Sequence, residues 1–215
     1  IKTKRQEAKW TTMAELEKIR DNYGKLLKKK KYNSASKEFK EDGDRSLMLK
    51  YVIASLYTML PPRRLEYGNM KRINEHEYFV LSNENRENNN YCVVKNKNKK
   101  YFSFGDTKIV DPDNRIVKID IPKKLNNIIN MWFNITDSES FLITPHGIDM
   151  TSNALSSFMR HYVFPNEGGG VGASLIRHIF LTEKYKDESS LKEKQALATQ
   201  MNHSVNTQNL YYIKN

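Results

Sequence analysis

An apolar run that ends on two prolines does most to limit what this chain can fold into. Leu47, Leu49, Val52, Ile53, Leu56 and Met59 recur at helical spacing, and Pro61 and Pro62 follow directly on Leu60. Proline lacks the backbone donor and its ring clashes with the preceding turn, so a helix has to stop there. Leu47 to Leu60 therefore reads as an apolar helix at the centre of a core, after which the chain must turn. A shorter helical piece is expected from Leu65 to Met70.

Helical spacing also marks the region before this run. Trp10, Met13, Leu16, Ile19, Tyr23, Leu26 and Leu27 predict a helix over Lys9 to Lys31, with Thr11 or Thr12 as its cap and Lys28, Lys29, Lys30 and Lys31 at its end. The middle of the chain changes period. Tyr78 to Leu81, Tyr91 to Val94, Tyr101 to Ile109 and Arg115 to Ile121 are β-branched or aromatic and separated by turn signals, with Asn83 to Asn90 read as a loop. Helical patterns return at Leu125 to Trp132, Thr151 to Tyr162, Ser174 to Tyr185, Leu191 to Met201 and Thr207 to Lys214. The expected fold class is α+β: mostly helical, with a small antiparallel sheet of three to four strands. The 215 residues, 38% of them hydrophobic, are enough for one core, so a single domain over 1–215 is expected.

Charge narrows the function. Lys and Arg number 36 against 25 Asp and Glu, a formal net charge of +11. Such a surplus suits a polyanion, and nucleic acid is the common case, because cations that neutralise phosphates release condensed counterions. No run approaches the length of a membrane helix and no signal peptide is visible, so no membrane partner is expected and the location is intracellular. The lone Cys92 excludes an intramolecular disulfide framework and a zinc knuckle. His76, His146, His161, His178 and His203 are scattered, with no pair at metal-ligand spacing, so neither metal nor cofactor is expected. Gly168 to Gly172 lacks the Lys-Ser or Lys-Thr of a phosphate loop and reads as a hinge. The chain starts at Ile1 rather than Met, as expected of a piece of a longer one.

Four features remain that could carry chemistry. Arg63 and Arg64 follow the double proline. Lys108 precedes the turn Val110-Asp111-Pro112-Asp113-Asn114. Ser174-Leu175-Ile176-Arg177-His178 opens a helix after the glycines, and Met201-Asn202-His203 leads on to Leu210-Tyr211-Tyr212. In this order they resemble the catalytic domain of the tyrosine recombinases, from about Trp10 to the C-terminus. The double proline before the arginines resembles the integrase-like recombinases of large DNA viruses and virophages.

The resemblance implies a site-specific recombinase or integrase that cuts and rejoins DNA through a 3′-phosphotyrosine, without ATP. Arg64 and Arg177 would clamp the phosphate, since a planar guanidinium stays protonated and binds phosphate at two points. Lys108 would protonate the leaving 5′-oxygen, His203 would hydrogen-bond the phosphate, and Tyr211 would attack. Alternatives stay open at three of these places. The Pro-Pro-x-Arg pattern fits Arg64, whereas Arg-x-x-Glu fits Arg63 with Glu66. Counting from His203 reaches Tyr212, whereas the apolar Leu210 and Thr207 fit Tyr211. Lys95, Lys97, Lys99 and Lys100 compete with Lys108 as hairpin lysines.

Ser174 stands where the family has His or Lys, and a serine cannot serve as a base near neutral pH. The family acts as tetramers on two duplexes of double-stranded DNA, preceded by an N-terminal clamping domain that this chain lacks. This fragment is expected to be monomeric alone, and to act in a host nucleus or viral factory if it is viral. Other readings are a type IB-like topoisomerase, a DNA-binding module without catalysis, and a basic helical adaptor for acidic protein or lipid.

Overall fold

The computed structural model describes residues 2–33, 35–41, 43–105, 116–185, 190–207 and 209. The first long helix is α2 (Met13–Lys29), after a single turn, α1 (Lys4–Glu7). Thr12 caps α2 by accepting from the Glu15 N–H, which satisfies one of the orphan donors of the first turn. The apolar run forms α3 (Asp44–Met59), and Met48, Leu49, Val52, Ile53, Ala54, Leu56 and Tyr57 are all fully buried. Each large apolar side chain so placed contributes about 1.5–3 kcal/mol through area removed from water. Leu60 leaves the helix in extended conformation just ahead of Pro61, as the prolines require.

Leu65 to Met70 is a set of turns rather than the expected helix. The Gly68 N–H closes on the Leu65 carbonyl at 2.9 Å, and Asn69 takes a φ of +60°. A Cβ on Gly68 would lie 2.6 Å from the Ser152 backbone. The chain here crosses another main chain too closely for a helix with side chains.

The sheet has four strands in the order β1-β2-β3-β4, and it is mixed rather than antiparallel. β1 (Lys71–Asn74) runs parallel to β2 (Asn90–Asn96), with Lys71 opposite Tyr91. β3 (Lys99–Phe104) and β4 (Val117–Asp120) complete it as antiparallel neighbours, Phe104 opposite Val117. Parallel pairing needs a crossover, and α4 (Glu75–Val80) and α5 (Asn83–Asn88) supply it. Tyr78 to Leu81, expected as a strand, therefore lies mostly in α4. The reason is local: the Asn74 side chain accepts from the Glu77 N–H while the Glu77 carboxylate accepts from the Asn74 N–H, a reciprocal cap. The expected loop at Asn83 to Asn90 is largely α5, capped by Ser82. Of the strand expected over Tyr101 to Ile109, the part after Gly105 lies outside the described residues.

α6 (Lys123–Ile135), α7 (Ser152–Phe158), α8 (Ala173–Lys184), α9 (Leu191–Gln200) and the turn α10 (Val205–Thr207) follow. A π-helical turn, Met159–Val163, extends α7. One large core cluster draws on residues from Leu16 in α2 to Ile179 in α8. A second, smaller one puts Tyr78 of α4 against Tyr91, Val93 and Tyr101 on the other face of the sheet. The glycines read as a hinge serve close packing. A Cβ on Gly170, whose φ is +76°, would come within 1.9 Å of the Arg160 carbonyl oxygen.

Candidate functional site

Where the prolines end α3, the chain swings over the end of the sheet and carries Arg63 with it. The Arg63 guanidinium stacks 3.8 Å above the Phe104 ring of β3. Its Nη1 donates to the Gln200 carbonyl, and its Nη2 lies 3.5 Å from Glu66 Oε1. Arg177 is on the buried side of α8 with Ile176, and its Nη1 donates to the Met201 carbonyl at 2.6 Å. Both arginine side chains are fully buried. Two cations from distant stretches of sequence thus hold consecutive carbonyls at the end of α9.

The same turn supplies two more polar side chains. Asn202, at a φ of +56°, folds the chain back and donates from Nδ2 to Glu66 Oε1 at 3.0 Å. Asparagine tolerates this left-handed conformation better than most residues. His203 follows, buried, with its N–H on the Ala198 carbonyl at 3.1 Å. Glu66 therefore ties Arg63 to the turn that Arg177 also grips.

The field at this site is positive. Burial lowers the pKa of Arg63, opposed mainly by the Glu66 carboxylate. Burial, and then the charges of Arg177 and Arg64, push His203 down to about 4, so its ring is neutral at pH 7. Nδ1 lies 3.3 Å from the Ser204 carbonyl, which can only accept. A neutral ring with its proton there presents Nε2 as an acceptor. Beneath the arginines, the Tyr57 hydroxyl donates to the Arg64 carbonyl, and Tyr67 packs edge-on against Tyr57 with centroids 5.7 Å apart. Burial raises both phenol pKa values, so these tyrosines stay neutral and support the turn.

Arg63 and Arg64 part company in three dimensions. Arg64 is half-buried and lines two clefts at once. One, of about 390 Å³, also has Glu66, Asn90 and Asn202 in its wall. The other, of about 500 Å³, has Lys9, Arg160, Ser174 and His178 and no carboxylate among its lining residues. Ser174 is exposed there, in the first turn of α8. The structure thus brings Arg63, Arg177 and His203 together around one turn, with Arg64 beside them and Ser174 across the second cleft.

Lys108, Tyr211 and Tyr212 lie outside the described residues. Phe104, under the Arg63 guanidinium, is the last residue of β3. Among the competing lysines, Lys100 is buried and committed elsewhere. Its ammonium donates to the Lys97 carbonyl and to Asn126 Oδ1, both at 3.1 Å, and to Asn130 Oδ1. Lys95 pairs with Glu75 at 3.4 Å, while Lys97 and Lys99 are exposed in and beside the β2–β3 turn.

Sequence reasoning missed the asparagines. Asn90 opens β2 with its side chain buried, and its Nδ2 donates to the Glu66 carbonyl at 3.3 Å. The one signal was the run Asn88-Asn89-Asn90, which reads as a loop until the sheet is known. Among the described residues no group of three or more His, Cys, Asp or Glu could hold a metal, and no helix is long and apolar enough to cross a membrane. In comparisons with known proteins, no family model, no curated protein and no solved structure matches this chain.

Proposed function

We propose that this chain breaks and rejoins DNA strands as a tyrosine-type recombinase, integrating or excising DNA. The observation that carries the reading is the convergence of Arg63 and Arg177 on the Gln200-Met201 turn, with His203 two residues further on. Phosphoryl transfer without a metal needs fixed cations for the charge that develops on the non-bridging oxygens. Two guanidiniums held by one turn meet that need, and the buried setting strengthens their effect. This convergence favours Arg63 over Arg64 as the first clamp, with Arg64 as a contact to a neighbouring phosphate.

In this reading the hydroxyl oxygen of Tyr211, or of Tyr212, attacks phosphorus in line. The bond to the 5′-oxygen breaks as Lys108 gives that oxygen a proton, and a 3′-phosphotyrosine remains. With Ser174 in place of a base, the tyrosine proton passes to solvent water, because an imidazole held down at about 4 is a poor base at neutral pH. A neutral His203 ring meets the phosphate-donor role expected from the resemblance when its proton sits on Nε2. Both clamp arginines are covered in this conformation, so the chain over them has to yield when DNA binds.

Covalent capture tests the proposal. The chain is incubated with nicked suicide duplexes, without metal or ATP, and run on a denaturing gel beside Tyr211→Phe and Tyr212→Phe. An adduct that one of the two variants abolishes supports the reading and names the nucleophile. Salt-sensitive DNA binding without any adduct, with the longer chain on its own terminal DNA as well, would point to a binding module instead.

A further inference from the structure

The glycines before α8 are where remote stretches of backbone meet. A Cβ on Gly168 would lie 2.6 Å from the Ala8 carbonyl oxygen, and one on Gly170 would lie 1.9 Å from the Arg160 carbonyl oxygen. Only residues without side chains allow this approach. Asn166 ties the same stretches together: its Nδ2 donates to the Lys9 carbonyl at 3.2 Å, and its Oδ1 accepts from the Gly170 N–H at 2.9 Å. The result is that Lys9 and Arg160, distant in sequence, line one cleft of about 500 Å³.

Neither cation is neutralised there. The Lys9 ammonium donates to the Gly169 carbonyl at 3.2 Å, which uses one of its three protons. Arg160, in the π-helical turn, uses Nε on the Ser156 carbonyl at 3.3 Å. Among the described residues nothing pairs with its Nη1 and Nη2, and neither it nor Lys9 has a carboxylate partner. Both side chains are part-exposed, and neither terminal nitrogen of Arg160 is closed off from the surface. No acid lines the cleft, whose wall is completed by Arg64, Ser174 and His178 and by the apolar Leu65, Ala173 and Leu175.

Like charges held together repel, and low-dielectric walls concentrate their field, so this cleft favours an anion. A guanidinium fork beside an ammonium suits the non-bridging oxygens of a phosphate. The apolar wall suits the sugars on either side of a phosphodiester, which a free phosphate ion lacks.

We infer that Lys9 and Arg160 jointly hold one backbone phosphate of bound DNA, a flanking phosphate on the strand that passes Arg64. The inference rests on the reading that this chain acts on DNA, and it adds a grip that ignores base sequence. Ser174 and Arg177 share two turns of α8, so cleft and clamp lie within about one helix width, about 10–12 Å. A strand carries a phosphate every ~3.4 Å of duplex axis, which puts the held phosphate within about three nucleotides of the cleaved one.

Two measurements test this. In the first, a non-specific duplex is titrated at several salt concentrations with the parent, Lys9→Gln, Arg160→Gln and the double variant. The salt slope counts neutralised phosphates, and two cations on one phosphate count once. Each single variant should therefore bind several-fold more weakly with a slope close to that of the parent, while the double variant loses about 0.9 of slope. A loss of twice that in the double variant would put the two cations on separate phosphates and overturn the inference. Parent-like affinity in either single variant would overturn it too.

The second uses the unaltered protein, in case a variant does not fold. The Arg160 Nε–H resonance is followed during titration with duplex DNA, and with inorganic phosphate at the same phosphate concentration and ionic strength. Movement with the duplex well beyond that with inorganic phosphate supports the inference. Equal movement with both assigns the cleft to a free anion, and no movement with the duplex leaves it unused; either result overturns the inference. Failure of the recombinase reading looks different: no covalent adduct forms in the capture experiment, while the Arg160 signal still follows the duplex.

Discussion

Arg63 and Arg177 donate to neighbouring carbonyls, those of Gln200 and Met201, so one turn of chain is gripped from both sides by buried cations. The geometry makes fold and candidate chemistry depend on the same two side chains. Arg63→Met removes the cation that faces Glu66 and leaves a carboxylate largely buried without it. A loss of about 3 kcal/mol is expected, of the size seen when one partner of a buried pair is removed. Urea unfolding reads it directly. A variant as stable as the parent would show that Glu66 does not depend on Arg63.

Arg64 should behave in the opposite way. Its side chain is half-buried and borders open clefts, so Arg64→Ala is expected to unfold at nearly the same urea concentration as the parent. Its DNA affinity should fall, with the salt slope reduced by about 1, as for the loss of one phosphate contact. Titrations at several salt concentrations give the slope.

The His203 ring should titrate with a midpoint of about 4 in the free protein, followed through its ring proton resonances. The sign of the linkage is set by a folded pKa that lies below the usual value of 6.5. Between the two values the unfolded chain binds more protons than the folded one, so stability rises with pH across that window. The contribution is complete above about 6.5 and is lost as pH falls toward 4. Replacement of His203 by Gln should flatten this part of the stability profile.

Lys108 and Lys100 should separate cleanly. Lys108→Ala is expected to slow adduct formation by about 10²-fold or more, the usual share of a general acid. A duplex with sulfur in place of the leaving 5′-oxygen should restore the rate, because a thiolate leaves without a proton. Lys100→Met should instead cost about 1–3 kcal/mol of stability, since it strips the buried oxygens of Asn126 and Asn130 of a donor. Its cleavage rate per folded molecule should not change.

Gly170→Ala should be among the most damaging single changes. The position has a φ of +76°, and the new methyl would meet the Arg160 carbonyl oxygen at 1.9 Å. A loss of more than about 2 kcal/mol is expected from strain and clash together. Thermal unfolding followed by circular dichroism is sufficient to see it.

How much of this was legible beforehand depended on how local each cause was. The prolines ended α3 where expected, and Thr12 capped α2, because each acts within one turn of chain. Tyr78 to Leu81 misled, since aromatic and β-branched residues favour a strand while the cap formed by Asn74 and Glu77 made a helix. β1 escaped notice because a short strand with a charged half, Lys71-Arg72-Ile73-Asn74, gains its identity only by pairing with β2.

The sequence by itself determined the helices flanking a small sheet and the basic surplus. Spacing, capping and charge are properties of neighbours along the chain, so they can be read in one dimension. Tertiary structure alone decided which of two adjacent arginines is buried against Glu66. It also decided that a run of asparagines borders a cleft, and that the ends of α8 and α9 meet. Those outcomes rest on contacts between segments far apart in the chain, where burial and the need to satisfy polar atoms choose among residues that look equivalent in sequence.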